Sequence, residues 1–474
     1  MAEDNVHIVG GGLVGTLACI YLAKRGIKVT LHEQRADMRK SQNKGGGRSI
    51  NLALTSRGLK ALAGVGLAEK AMEIMVPMKG RSMHSVAGET SFSPYSNKPG
   101  ETNNSISRGG LNELLLNEAE NAGVEILFDQ HCTGYDADTS TLTFETPDGT
   151  KTVPADVVIG ADGGGSTSVM HKALDERMPG NYSRERLNYK YKELSFPAGE
   201  NGAYQMDEHA LHIWSRNSEY MLIALPNTDG SFTGTLFLRD ESEVNFDTLT
   251  GDNVSEFFGE HFPDALQMMP NLESDFRNNP VGEMHTVKCR SWHLGGKLML
   301  IGDAAHAVVP FHGQGMNGGF EDCAALGDMV DRHTKDGSVD WNNVFTDLEA
   351  DRKHNTDALA IMSLENLKDM LSTADAPAVL RRNIGFRLAE MSEQEAELQD
   401  RFLPHYTMIT FRPNISYAQV RERDLIQAEI LDTLAGEVEP ADAQDWDAQV
   451  DWDEDRRLVC ERLSPIASGP SLTP

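Results

Sequence analysis

The run Gly10-Gly11-Gly12-Leu13-Val14-Gly15 joins the apolar stretch Val6-His7-Ile8-Val9 to a helical pattern, and it restricts the fold more than any other feature. Small residues at these positions let backbone amides approach a pyrophosphate, whose charge then sits at the positive end of a helix. The helix reads from Leu13 to about Arg25, Gly26 breaks it, and Lys28 to His32 reads as a second strand. A strand–helix–strand unit of ~30 residues is the size of a right-handed crossover. Glu33 ends the second strand, where a carboxylate binds a ribose hydroxyl pair. The alternative, a tight turn without a ligand, explains the glycines but not the acid. Gly10, Gly12, Leu13, Gly15 and Glu33 are therefore candidate cofactor-binding residues.

With 474 residues the chain can form two closely packed domains, and 39% hydrophobic with 24% charged residues is an ordinary globular composition. No apolar run reaches the ~18 residues of a membrane-spanning helix. The first strand begins too near the start to leave room for a signal peptide. Five cysteines, Cys19, Cys132, Cys289, Cys323 and Cys460, are scattered and never form a C-x-x-C pair. That usage suggests neither a disulfide framework nor a zinc site, and it points to a reducing cytosol. The net charge of −29 describes a solvated acidic surface that repels nucleic acid and anionic membranes. Adaptation to a saline interior is one reading of that charge.

Further along, Gly45-Gly46-Gly47 interrupts the pattern, a helix resumes near Thr55, and Leu111 to Ala122 is amphipathic. Strand patterns at Thr141–Phe144 and Lys151–Val153 flank Pro147-Asp148-Gly149, a hairpin signal. Val157 to Ala161 is apolar and runs into Asp162-Gly163. Ala210–Trp214, Tyr220–Leu225 and Phe232–Leu238 recur as strands, and Lys297 to Gly302 returns to a buried strand. Trp341 to Leu434 is mostly helical, interrupted at Arg401–Pro413, and the tail beyond Gly436 is acidic, then Ser/Pro-rich.

A second glycine set, Gly313-Gln314-Gly315-Met316-Asn317-Gly318, follows the loop Pro310-Phe311-His312, and no strand ending in an acid comes after its helix. It does not mark a separate nucleotide domain. Taken with the first glycine motif, Gly160-Ala161-Asp162-Gly163 and Gly302-Asp303-Ala304-Ala305-His306, it resembles the single-component FAD-dependent aromatic hydroxylases. The resemblance implies non-covalent FAD, NADPH as a co-substrate without a domain of its own, and O2. It implies that Asp162, Asp303, Gly315, Met316 and Asn317 complete the FAD site. Asp303 suits a ribityl hydroxyl, and the amides of Met316 and Asn317 suit negative charge on the reduced flavin. Arg108 matches a family arginine near the cofactor, with a surface ion pair as the rival reading.

The implied fold is α/β, a Rossmann-like FAD-binding domain with an inserted antiparallel-sheet substrate domain and a C-terminal helical region. The boundaries read as 1–180 and 286–340 for the FAD-binding domain, 181–285 for the sheet domain and 341–435 for the helices. Residues 436–474 read as an acidic, mobile tail.

Four strings are similar to the kynurenine-hydroxylating branch of that family: residues 47–54, Tyr191-Lys192-Glu193-Leu194, Ala210–Trp214 and Pro310–Asn317. Pro404-His405-Tyr406 adds to them. Eukaryotic members carry a C-terminal membrane anchor, and the ending Ser464–Gly469 is unlike one, so a cytoplasmic protein is expected. The resemblance implies L-kynurenine as substrate, with Arg81, Tyr95, Asn366 and Tyr406 at its amino-acid end. The ring slot would be Met221, Ile223, Leu225, Phe237, Pro310 and Phe311. Alternation at 221, 223 and 225 puts those side chains on one sheet face, which ordinary core packing explains equally well. The implied chemistry is hydride transfer from NADPH to FAD, oxygen addition to a flavin C4a-hydroperoxide, and attack by the ring to give 3-hydroxykynurenine in tryptophan degradation. His312 is the one candidate catalytic side chain, with a purely structural role as its alternative; no metal is implied. Another aromatic substrate, or a non-catalytic flavin-bound regulator, are the competing functions. The family commonly has an arginine where this chain has Val169, and His171 and Lys172 are the nearest substitutes for recognising NADPH.

Overall fold

Val6–Val9 pairs in parallel with Val29–His32 on one side and with Val157–Gly160 on the other, so the strand that feeds the first glycine run is central. Strands apolar at nearly every position are stable only where helices cover both sheet faces. The computed structural model describes residues 5–40, 51–96, 98, 100–165, 168–216, 219–371, 376–436 and 446–466. Its first sheet orders the strands His293–Leu294, Leu298–Leu300, Val157–Gly160, Asn5–Val9, Lys28–His32 and Glu125–Leu127. The helices Leu13–Ala23, Arg108–Asn121 and Gly315–His333 share one core with it, through Leu17, Ile20, Leu111, Leu115, Phe320 and Leu326. The Arg108 helix starts where Ser107 accepts from the Gly110 amide.

The second sheet orders Val281–Cys289, Tyr182–Phe196, Phe232–Arg239, Tyr220–Pro226, Ala210–Arg216, Gly80–His84 and Thr90–Pro94. This corrects the expected domain limits. Gly80–His84 lies parallel to Ala210–Arg216, with Arg81 opposite Leu211, so two strands come from the first hundred residues. Val281–Cys289 also crosses the expected boundary at 285. The segment Gly80-Arg81-Ser82-Met83-His84 has no apolar alternation, so its sequence carried no strand signal. Along Tyr220–Pro226 the side chains divide as period two demands. Leu222 and Ala224 pack with Trp214 and the helices spanning 254–278, while Met221 and Ile223 face the other way.

The C-terminal region packs the helices Trp341–Leu371, Ala376–Gln394 and Tyr417–Ala435. The expected interruption at Arg401–Pro413 contains the short helix His405–Phe411, begun at Pro404 and ended before Pro413. A second correction concerns the tail. Trp452–Arg462 is a helix capped by Asp451, and Val459 and Leu463 are buried with Leu388 and Ile430. Acidic residues around it hid an i, i+4 apolar pair that suffices to dock it. Residues 41–50, with Gly45–Gly47, as well as 166–167, 437–445 and 467–474, lie outside the described residues. Among the described residues, no helix is long and apolar enough to cross a membrane.

Candidate active site

At the first glycine run, two positions are closed to side chains and one is open. A Cβ on Gly10 would lie 2.3 Å from the Ala161 carbonyl oxygen, and one on Gly15 would lie 2.0 Å from the Gly10 oxygen. Gly10 also holds φ at +112°, which favours glycine. A Cβ on Gly12 would meet no protein atom within 4 Å. That open space lies where the helix beginning at Leu13 presents first-turn amides without a side-chain cap. It is the cradle that a diphosphate needs. Glu33 is buried, accepts from the Gly11 amide at 2.8 Å and pairs with Arg35 at 2.7 Å. Arg108, exposed at the start of its helix, makes no ion pair among the described residues, so the surface-pair reading has no support.

Asp303 is exposed and faces the start of the Gly315 helix, with Oδ1 4.0 Å from where a Gly315 Cβ would be. The turn carrying it is held from behind by Asp322, which is fully buried. Asp322 accepts from the Gly302 amide at 3.0 Å, stands 2.6 Å from His306 Nε2 and accepts from Arg352 Nε at 2.9 Å. Burial works to raise its pKa, but His306 and Arg352 outweigh that and hold it below the usual carboxylate value. An open cradle at Gly12, an exposed carboxylate at Asp303 and an uncommitted cation at Arg108 fit an FAD lying across the sheet ends.

The side chains of Asp162 and Asn317 are engaged within the protein, so Asn317 keeps only its amide for the cofactor, as expected. Asp162 accepts from the Ser168 hydroxyl at 3.0 Å and the Val169 amide at 3.1 Å, so its carboxylate caps the helix Val169–Arg177. The Asn317 side chain is fully buried; it donates to the carbonyls of Ala53 (2.8 Å) and Gly313 (2.9 Å) and accepts from the Thr55 amide. Only the amides of Gly315, Met316 and Asn317, at the open end of their helix, remain for a ligand. His171 is no stand-in for the missing arginine. It is buried, donates to the Ala304 carbonyl, and desolvation lowers its pKa, whereas Lys172 is exposed.

Arg81, Tyr95 and Tyr406 form a box. The guanidinium lies 4.5 Å from the Tyr406 ring centre and 5.6 Å from that of Tyr95, and the two rings stack at 4.8 Å. Among the described residues, no carboxylate pairs with Arg81. Asn103 donates to the Tyr406 hydroxyl at 2.7 Å, which leaves that hydroxyl's own proton free to be given away. Burial pushes the Tyr95 pKa far up, so it too stays a neutral donor. Arg81 Nε, Tyr95 Oη and Asn103 Oδ1 are buried and find no protein partner. Three such atoms in one cluster are costly unless a polar ligand satisfies them.

Next to this box is an apolar slot. Met221 pairs across the strands with Phe237, whose ring lies 5.7 Å from Phe311. Ile223 touches both this group and the Tyr95, Leu225 and Tyr406 cluster, so the box and the slot are continuous. Asn366 donates to the Phe311 carbonyl at 2.8 Å and thereby holds the loop, while Pro310 is exposed at the loop's start. The predicted ring and amino-acid residues are thus assembled from segments spread over more than 300 positions, from Arg81 to Tyr406.

His312 is 3% exposed, and its Nε2 lies 3.0 Å from Nε2 of His405, whose Nδ1 bonds to Asp424. Burial first, then His405 and Arg81, bring the His312 pKa down to about 3. Asn103, His405 and Asp424 escaped the sequence reading. The string Pro404-His405-Tyr406 was the one available signal, and it pointed only to the tyrosine.

A family model described as an FAD binding domain matches residues 3–338. The chain is 41% identical over 468 residues to kynurenine 3-monooxygenase of Myxococcus xanthus, covering 98% of this chain and 96% of the relative. It is 40% identical over 438 residues to kynurenine 3-monooxygenase of Cytophaga hutchinsonii, covering 91% and 94%. Among solved structures it is similar to the tetrameric form of 2-methyl-3-hydroxypyridine-5-carboxylic acid oxygenase, with a TM-score of 0.64 and 21% identity over 80% of this chain and 96% of that one. P. aeruginosa PqsL in complex with 2-aminobenzoylacetate has a TM-score of 0.63 and 17% identity, covering 78% and 97%.

Proposed function

The chain belongs to the FAD-binding kynurenine 3-monooxygenase family, and from that premise we propose that it hydroxylates L-kynurenine to 3-hydroxykynurenine with NADPH and O2. The observation that carries the reading is the Arg81 box: a half-buried cation, its Nε enclosed and with no carboxylate partner among the described residues, ringed by unsatisfied polar atoms and opening onto an apolar slot. A zwitterionic amino acid with an aniline ring has the matching parts. Its carboxylate takes the guanidinium and the hydroxyls of Tyr95 and Tyr406, and its ring lies between Met221, Ile223, Phe237 and Phe311.

FAD, when bound, supplies the redox chemistry, taking a hydride from NADPH and activating oxygen. The glycine run, Glu33, Arg108, Asp303 and the Gly315 helix amides would hold it. Asp322 keeps the Asp303 turn and that helix in one register. The apolar slot keeps water from the reacting atoms, and the fixed carboxylate anchor sets which ring carbon is presented. The amino group of the substrate already enriches the ring, so no strong protein base is called for. Mass identification of the product from L-kynurenine, NADPH and O2 tests the proposal; an unaltered kynurenine with NADPH consumed to peroxide alone would overturn it.

A further inference from the structure

A cavity of about 510 Å³ lies between the helices Trp341–Leu371, Ala376–Gln394 and Tyr417–Ala435. Its inner wall carries Arg81, His312 and Tyr406, and its outer wall carries Arg382, Gly385, Phe386 and Leu431. The two walls differ sharply in environment: His312 is 3% exposed and Phe386 61%. The cavity therefore joins solvent to the half-buried arginine. It is distinct from the ring slot, because Met221, Ile223, Leu225 and Phe237 do not line it.

Its composition suits transit. Arg381 is paired with Asp432 at 2.7 Å and Glu365 with Arg421 at 3.0 Å, whereas Arg382 makes no ion pair among the described residues. One uncommitted cation thus stands at the mouth and another, Arg81, at the base. On a chain of net charge −29, such a patch is a local reversal that favours a carboxylate. Gly385 lines the cavity beside Leu431. A Cβ there would lie 3.7 Å from Leu431 on the facing helix, an ordinary contact, so alanine fits and would strengthen the helix. Packing does not require glycine at this point, but any much larger side chain would extend into the cavity.

Resting on the kynurenine reading above, we infer that this cavity is the passage by which substrate reaches Arg81, its mouth formed by Arg382 and Phe386, with Gly385 and Leu431 side by side on its lining. A blocked passage has a distinct kinetic signature. It slows arrival and departure alike, so rates fall while affinity is kept, whereas damage to a binding site raises Kd mainly through faster release.

The test mixes the FAD-loaded enzyme with kynurenine in a stopped-flow instrument and follows the flavin absorbance change. Gly385→Trp is expected to slow association and dissociation together by about tenfold or more, with Kd held within about threefold and FAD content unchanged. Leu431→Trp narrows the passage from the opposite wall and gives the same result if the first variant folds poorly. Gly385→Ala is expected to match the wild type. Wild-type rates in both tryptophan variants would overturn the inference, and so would a raised Kd at an unchanged association rate, which would make the cavity part of the bound substrate's own site. A wild type that binds no kynurenine overturns the substrate reading and this inference with it; binding with unaltered variant rates overturns the inference alone.

Discussion

Nε2 of His312 and Nε2 of His405 face each other at 3.0 Å, so only one proton can lie between the two rings. Asp424 fixes the far side of His405 and Arg81 adds positive charge nearby, so a charged His312 has no place in the fold. Its pKa is down to about 3, first through burial, against an ordinary value of 6.5. The folded-state value is the lower one, so between pH 6.5 and 3 the unfolded chain binds a proton that the folded chain refuses. Stability is lost as pH falls through that window. His312→Gln removes the term. In urea titrations from pH 6 to pH 4, the wild type is expected to lose about 1 kcal/mol per pH unit relative to the variant. Parallel pH dependences would show that His312 is protonated in the fold.

Gly12 and Gly15 answer the cofactor question differently. Gly12→Val points its side chain into open space, so the protein is expected to fold and purify with little flavin absorbance. Gly15→Val drives the helix off the Gly10 carbonyl and is expected to be unfolded by circular dichroism. A yellow Gly12→Val protein would show that the pyrophosphate lies elsewhere.

Arg81→Ala removes the one cation of the tyrosine box. Kynurenine affinity is expected to fall about ten- to hundredfold, the loss of a charge-assisted contact, with FAD content normal. Arg81→Lys is expected to restore little, because an ammonium cannot place two parallel donors while resting on Tyr406. Fluorescence titration with kynurenine reads both, and an unchanged affinity in Arg81→Ala would relocate the carboxylate site.

Val169 opens its helix beside the capping carboxylate of Asp162. Val169→Arg is expected to lower the KM for NADPH about threefold at low salt and little at high salt, since an exposed cation attracting phosphate is screened. Kynurenine affinity stays as it was. If NADPH kinetics match the wild type at both salts, the new arginine has paired with Asp162 or faces away from the nucleotide.

The glycine run and the central strands could be read from sequence because local pattern and global position coincide there. The stripe at 221, 223 and 225 was readable for the same reason: period two on a paired strand survives any tertiary context. Arg81 was reachable only through resemblance, since residues 80–84 carry no alternation and become a strand by pairing with residues 210–213. Asp162 was matched to the flavin by motif, yet nothing in a motif separates a side chain that touches a ligand from one that shapes the loop. Asn103, His405 and Asp424 meet the site from distant segments, and no short-range signal marks such an encounter. The helix at Trp452 was hidden by its own charge.

The strands Gly80–His84 and Thr90–Pro94 belong by chain order to the first lobe and by hydrogen bonding to the second. A chimaera spliced near residue 180 would therefore separate neither lobe cleanly. One fragment would carry two strands without their sheet, and the other a sheet with a bare edge at Ala210–Arg216 open to aggregation. Relatives of this chain should exchange sequence as whole catalytic lobes only if the exchange takes that hairpin along. Refolding should likewise be a single slow event, because pairing Arg81 with Leu211 must close a loop of about 130 residues before either half is complete.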